Sequence, residues 1–521
     1  MEHQITVTDI KIRQSVMYIT LKPQEALADP KIDLVCRDID KVSRFPFLPA
    51  ENKKGFCTAS VNLHDLDLKE GDWDITVRSG SSGQIYSTVL GGRIRAKLLL
   101  GNYRILKGRH IIFPMGSTGK RFILRCRVRT PYDHFFFRFR DLCIWGICRI
   151  LRPFMKQRRL WLIYEKYCIS AQDNGFYFFR YCMESLPEKE KKHIYFILDK
   201  NSAQWDAVRK YKKNVIRFMS FRHIFYMLTA NLYAASDSRI HAYVWQPMPN
   251  LVSREINRHD ILFLQHGVLA LKRVENVFGR DGACPVTYFL TSSEFEQKIV
   301  AENFGYDTDH APVLGLARWD VLTDKSRPDR PSILVMPTWR SWLEGREDSV
   351  FCSSEYYLTY MHLLKNQELL ELLRESGARL IFYIHPKLRE FMKDFHADNP
   401  RIQLVSFGET ALNELIMECS MLITDYSSVC WDFYYQEKPV VFYQFDMELY
   451  EQTNGSYIDM KHDLFGDRCT KEPELIETVR DYLRNGFHEK EKYGNMRKKY
   501  LPKRDHENCK RIYEYIIKKG Y

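Results

Sequence analysis

The sequence predicts an α/β protein in which two doubly wound domains face each other behind a small all-β, sandwich-like domain. Three observations predict it. From about residue 170, continuous apolar runs alternate with helical periods, the pattern of parallel sheets covered on both faces. Residues 1–130 instead carry short β segments at close spacing, with turn residues between them. A polar, proline-containing stretch, Asp324-Lys325-Ser326-Arg327-Pro328-Asp329-Arg330-Pro331, divides the α/β part in two.

The β-rich region, 1–130, includes Ser15–Leu21, Asp74–Arg78 and Phe122–Val128, with Gly71-Asp72 and Ser79-Gly80-Ser81-Ser82-Gly83 between them. No chemistry-bearing cluster occurs there, so an accessory or interaction module is expected. A chain of 521 residues with 45% hydrophobic and 28% charged content buries a large core without staples. That excludes a disordered tail, a collagen-like repeat and a disulfide mini-scaffold. The 13 cysteines are odd in number and none is spaced C-x-x-C, which predicts reduced thiols. Met1-Glu2-His3-Gln4 opens no signal peptide, and no run of about 18 apolar residues spans a bilayer, so an intracellular location is expected.

Residues 131–166 change character. Phe135-Phe136-Phe137-Arg138-Phe139-Arg140 leads into Cys143–Arg152 and then Phe154–Leu162, with eight Lys/Arg against three acids across the segment. Rings interleaved with arginines suit a basic amphipathic segment at a membrane interface, where guanidinium groups meet lipid phosphates. The competing reading is a linker helix packed between domains. The net charge of +12 favours an anionic partner without choosing it. Nucleic acid ranks last, since no recognition motif for it is present.

The α/β part then divides into 167–325 and 326–521, the latter ending in basic helices. Its strand-like runs are His193–Leu198, Ile261–Leu264, Ser332–Met336, Leu380–Ile384, Met421–Thr424 and Val440–Tyr443. Polar residues follow most of them. Gln265-His266-Gly267 puts an imidazole and a tight turn after one strand, with Lys272 beyond. Gly315-Leu316-Ala317-Arg318-Trp319-Asp320 offers Arg318 to a phosphate or, equally, to Asp320. Pro337-Thr338-Trp339-Arg340 supplies a hydroxyl and a guanidinium fork. His385-Pro386-Lys387 adds a second imidazole and an ammonium, and Ser406–Thr410 a turn. In Thr424-Asp425-Tyr426-Ser427-Ser428-Val429-Cys430-Trp431-Asp432 a strand ends in hydroxyl residues that open a helix, which is either an anion site or plain N-capping. No P-loop, dinucleotide fingerprint, nucleophile elbow or metal-spaced Cys/His cluster is present and no Asp-x-Asp follows one of the strand-like runs of the α/β part, so no cofactor and no metal site are expected.

The ordered set His266-Gly267…Lys272, Gly315–Asp320, Pro337–Arg340, His385–Lys387 and Thr424–Ser428…Asp432 resembles the CDP-glycerol glycerophosphotransferase family, the teichoic-acid primases and polymerases of Gram-positive bacteria. Asp173-Asn174-Gly175, the stretch from Trp205 to Ser236, and Pro439, Tyr443 and Asp446 extend the likeness over roughly residues 160–515. The resemblance implies a GT-B-like fold of two facing Rossmann-like domains, acceptor side first and CDP-polyol side second. It implies a peripheral enzyme on the cytoplasmic face of the cell membrane. The reaction implied moves glycerol phosphate or ribitol phosphate from a CDP-polyol to an undecaprenyl-linked or polyol-phosphate acceptor, releasing CMP. By that likeness His266 is the candidate base and His385 holds or protonates the phosphates. Arg318, Thr338, Ser427, Ser428 and Asp432 would bind donor, and Gly267, Lys272, Pro337, Arg340, Lys387, Thr424 and Asp425 complete the expected substrate site. Where the family carries an Arg-Gly-Phe-like segment after Asp446, this chain reads Asn454-Gly455-Ser456-Tyr457. The alternatives are a GT-B glycosyltransferase using a sugar nucleotide and a non-catalytic membrane-associated scaffold. Homo-oligomerisation is left open.

Overall fold

The computed structural model describes residues 4–521 apart from 24–28, 37–43, 54–55, 81–83, 101–102, 118–120, 156–158, 247, 249, 345 and 407–408. Two six-stranded parallel sheets form its centre. The first contains β1 (Trp161–Tyr164), β2 (Ile194–Leu198), β3 (Val215–Arg217), β4 (Leu232–Ala235), β5 (Asp260–Phe263) and β6 (Tyr288–Phe289), in the spatial order β3-β2-β1-β4-β5-β6. The second contains β7 (Ser332–Val335), β8 (Arg379–Tyr383), β9 (Ile402–Val405), β10 (Met421–Thr424), β11 (Val440–Tyr443) and β12 (Asp467–Cys469), ordered β9-β8-β7-β10-β11-β12. Both follow the doubly wound 3-2-1-4-5-6 order, whose ligand crevice lies where the order reverses, between β1 and β4 and between β7 and β10. Strand residues such as Leu162, Ile163, Leu334, Val335 and Leu422 are buried on both faces, which explains why they are apolar without alternation.

Two boundaries differ from the sequence reading. Trp161–Tyr164 is a central strand of the first sheet, so that domain begins before residue 167. The run is only four residues long and follows arginines, so it reads as the end of the interfacial segment. The C-terminal helix α4 (Asn508–Lys518) packs against α2 (Asn174–Ser185) of the first domain, so 326–521 is not one spatial unit. Asn508 enters so closely that a Cβ on Gly315, at φ +81, would lie 1.8 Å from its Oδ1.

The N-terminal region is β-rich as expected, but its eleven strands join in one continuous hydrogen-bonded network, with a helix at Gly92–Leu100, instead of two separate sheets. Ile111 and Phe113 share a core with the first α/β domain. The guanidinium groups of Arg104, Arg127 and Arg138 surround buried Trp245 at 5.3–5.5 Å from its ring.

Residues 135–155 form the long helix α1 (Phe135–Met155). Its inner face buries Asp141, Ile144 and Cys148; Asp141 accepts from Arg140 at 2.6 Å and from the Tyr243 hydroxyl at 2.9 Å. Its outer face exposes Phe135, Phe136, Phe139, Leu142, Ile147 and Ile150, the last at 74%. No helix among the described residues is long and apolar enough to cross a membrane.

Beneath α1, His223 is fully buried and its Nδ1 accepts from the Met219 amide at 2.9 Å. Burial, and then Arg140, push it down to about 3, while burial, Lys166 and His266 outweigh Asp237 to bring His241 to about 4. Both bind a proton more readily when unfolded. Stability is therefore full above the ordinary value of 6.5 and is lost as pH falls toward the folded values. Each imidazole is expected to remove about 2 kcal/mol by pH 5. Urea midpoints at pH 7 and pH 5 check this, and His223→Gln should flatten the acid slope.

Candidate active site

The loop after β5 carries the first imidazole. Gln265 takes a left-handed φ of +60, a conformation rare for a residue with a Cβ, and three contacts hold it there. The Asn174 side-chain amide donates to the Gln265 carbonyl at 2.7 Å, and Gln265 Nε2 donates to the Leu290 carbonyl and to Glu296 Oε1 at 3.1 Å, an oxygen that also accepts from Leu269 N at 2.6 Å. Glu296 has no exposed surface, and burial raises its pKa. His266 emerges exposed, with Nδ1 3.2 Å from the Ser236 carbonyl oxygen. A carbonyl only accepts, so Nδ1 carries the proton and Nε2 is the basic nitrogen.

The second domain supplies the opposite wall from the ends of β7, β8 and β10. Thr338 N donates to Asp425 at 2.8 Å, and the Thr338 hydroxyl is buried without a hydrogen-bond partner. Ser427 and Ser428 follow β10. A cavity of about 280 Å³ lies between the walls, lined by His266, Gly267 and Lys272 on one side and Thr338, Trp339, His385, Ser427 and Ser428 on the other. The Lys272 ammonium sits 5.0 Å from the Trp339 ring centre across the cleft. After His385, Pro386 and Lys387 open a 3₁₀ helix, and the expected Lys387 contact falls on a side chain outside the described residues.

The walls nearly touch at Gly267. A Cβ there would lie 2.2 Å from Ser428 Oγ and 2.6 Å from Ser428 Cβ. Gly267→Ala is therefore expected to wedge the cleft and cut turnover by at least about tenfold, with little loss of stability, as read by initial rates beside a melting curve.

Six expected substrate contacts fall outside the cavity lining. Arg318, 5% exposed, clamps Asp432 with two bonds of 2.8 and 2.9 Å and reaches Asp173 at 3.0 Å and the His266 carbonyl at 3.0 Å. Arg340, fully buried, lies 2.8 Å from Asp425 and 2.7 Å from Asp446. Although burial works against its charge, Asp432 and Asp173 hold the Arg318 guanidinium protonated above its usual value, and Asp425 and Asp446 do the same for Arg340. Arg318, Arg340, Asp425 and Asp432 thus position the walls and do not line the cavity. Thr424 spends its hydroxyl on the Met336 carbonyl at 2.7 Å, and Pro337, next in the chain, is buried. The helix α3 (Cys430–Tyr435) has only six residues, so no long helix dipole stands behind the Ser427 and Ser428 hydroxyls.

Several residues that shape the site had no site role in the sequence reading, which named Asn174 and Gly175 only within the family likeness. Glu165 accepts from Ser170, Gln172, Asp173 and Phe176, and burial together with Asp173 raises it to about 7. Asn174, the first residue of α2, joins Gln265 to Arg318, and Gly175 N donates to Ser236 Oγ at 2.7 Å. For Glu296 the spacing Ser293-x-x-Glu296 was a legible helix-start signal. The divergent segment Asn454–Tyr457 grips the first domain: Tyr457 N donates to the Ala270 carbonyl at 2.8 Å, and Val274 N to the Tyr457 hydroxyl at 2.9 Å.

The family profile described as CDP-glycerol:poly(glycerophosphate) glycerophosphotransferase matches residues 151–518. The chain belongs to that family. It is 27% identical over 379 residues to the minor teichoic acid biosynthesis protein GgaB of Bacillus subtilis strain 168, covering 69% of this chain and 40% of GgaB. It is 25% identical over 246 residues to the teichoic acid glycerol-phosphate primase of the same strain, covering 45% of this chain and 58% of the primase. The chain thus spans less than two thirds of these relatives. Among solved structures it resembles the wall teichoic acid polymerase TagF at 16% identity and a TM-score of 0.51, over 73% of this chain and 97% of TagF, which shows a shared GT-B-like fold.

Proposed function

We infer that the chain transfers a polyol phosphate from a CDP-polyol to a hydroxyl of a lipid-linked acceptor, releasing CMP. The observation that carries this reading is the interdomain cavity, with the His266 imidazole on one wall and Thr338, His385, Ser427 and Ser428 on the other. The acceptor oxygen attacks the phosphorus bearing the polyol, the bond to the CMP oxygen breaks, and the acceptor proton passes to His266 Nε2. The unpartnered Thr338 hydroxyl and the Ser427 and Ser428 hydroxyls bind phosphate oxygens, and Lys272 offsets their charge. The family membership and the names of the relatives, teichoic acid primases and polymerases, support the donor class. Purified protein given a lipid-linked or polyol-phosphate acceptor with CDP-glycerol or CDP-ribitol should release CMP with one donor. UDP release from a sugar nucleotide, with neither CDP-polyol active, would replace the reading by glycosyl transfer.

The same reading places the protein peripherally on the cytoplasmic face of a Gram-positive membrane, with the outer face of α1 as its contact. Six large apolar residues exposed along one helix face favour this over a solvated linker. Replacing Phe136 and Phe139 by Ser should reduce co-sedimentation with anionic phospholipid vesicles by at least about tenfold. Unchanged binding would remove α1 from the contact.

A further inference from the structure

A second cavity, of about 590 Å³, opens where the β-rich N-terminal domain meets the first α/β domain. It shares no lining residue with the cavity around His266. On one side the helix Gly92–Leu100 presents Arg95, Leu98 and Leu99, an i, i+3, i+4 set on a single helix face. On the other, the helix Leu251–Ile256 and its flanks present Arg254 and Asn257, with Gln246 beside them. The volume admits a small organic ligand and exceeds what a few waters need.

Charge marks the cavity. Each domain contributes one guanidinium, and among the described residues no carboxylate lines the space. Among those residues neither Arg95 nor Arg254 has a side-chain hydrogen bond or an ion pair. Nearby cations on the same elements differ: Lys97 pairs with Asp9, and Arg258 with Glu255 at 2.9 Å. Two like charges on one cavity repel, and the apolar Leu98 and Leu99 surfaces weaken screening between them, so a bound anion gains from both. An independent observation concerns Gln246, which is only 9% exposed. Its Nε2 donates to Asn257 Oδ1, while its Oε1 is buried with no hydrogen-bond partner. A buried acceptor left unpaired is costly, and a hydroxyl on a bound molecule would satisfy it.

We propose that this cavity is an effector site, separate from the transfer site, for a phosphate ester that also carries a hydroxyl group. Arg95 and Arg254 hold the phosphate oxygens from the two domains, and the ligand hydroxyl donates to Gln246 Oε1. A bound ester thereby ties the β-rich domain to the first α/β domain and takes no part in the reaction. Soluble esters and hydroxylated phospholipid headgroups share this chemistry. The inference stands whether or not the transfer reading does.

Binding is read without turnover. The full chain is titrated calorimetrically with glucose 6-phosphate, inorganic phosphate and glucose, and its co-sedimentation with phosphatidylglycerol vesicles is measured beside this. Arg95→Gln and Arg254→Gln are exposed substitutions and should melt with the wild type. For a soluble ester, glucose 6-phosphate should bind more tightly than inorganic phosphate, and glucose should not bind. Each arginine variant should then weaken glucose 6-phosphate at least about tenfold and leave vesicle binding unchanged, the loss of one charge-assisted contact. For a headgroup, the same two variants should instead weaken vesicle binding by that factor, with α1 intact in both. Gln246→Leu should bring glucose 6-phosphate down to the affinity of inorganic phosphate, because it removes only the hydroxyl's acceptor. Arginine variants that match the wild type in both arms overturn the proposal. So does glucose 6-phosphate binding that is lost in Lys272→Gln and kept in the arginine variants, which would assign the ester to the transfer cavity. Inorganic phosphate bound as tightly as glucose 6-phosphate by the wild type would overturn the ester and leave a bare anion site.

Discussion

Arg318→Met is expected to destabilise the protein by about 3–5 kcal/mol, because it leaves the Asp432 carboxylate buried without its cation. Asp432 is fully buried, and its other side-chain donor is Trp319 Nε1 at 2.8 Å, which cannot carry the charge. Urea denaturation followed by tryptophan fluorescence reads the loss. The double variant Arg318→Met/Asp432→Leu should recover part of it, since an apolar pair of similar volume often replaces a buried ion pair without cost. Asp173, more exposed than Asp432, can hydrate once its partner is gone. The outcome separates two roles for Arg318. A phosphate ligand would raise donor KM and leave the denaturation midpoint unchanged, whereas the bridge from Asp173 to Asp432 lowers the midpoint and loosens the two walls together.

Much of the fold was legible because parallel strands buried on both faces must be apolar throughout, and the runs at Ile261–Leu264, Ser332–Met336 and Met421–Thr424 each mark a strand to within about a residue. The polar residues at their ends followed, since strand C-termini in doubly wound domains open on a crevice; His266, Thr338, His385, Ser427 and Ser428 do line one cavity. Charge pairing was not legible. Arg318 meets a partner 114 residues away and Arg340 one 106 residues away, and residue type alone cannot tell a guanidinium bound for phosphate from one bound for carboxylate. The strained turn at Tyr167 and Cys168 carries no glycine or asparagine to announce it. Glu165 and Asn174 act through loop amides whose neighbours are set only when β1, β4 and β5 align.

His266→Ala is expected to lower kcat for CMP release by about 10²–10⁴-fold, the usual contribution of a positioned general base. The geometry fixes how that loss should appear. The Ser236 carbonyl orients the ring through Nδ1, so on the proposed reading Nε2 takes the acceptor's proton, and the hydroxyls proposed to bind the donor stand on the opposite wall. Donor KM should therefore change little while kcat falls, the signature of an interaction made mainly in the transition state. His266→Gln should not rescue, because an amide does not act as a base at neutral pH. His385 stands with Thr338 and Ser427 on the donor side, its ring 6.1 Å from Trp339. His385→Ala should therefore raise donor KM as well as lower kcat if, as proposed, the imidazole contacts the phosphates before and during transfer. Equal donor KM effects from both substitutions would place both imidazoles on the donor and leave the acceptor proton to another group.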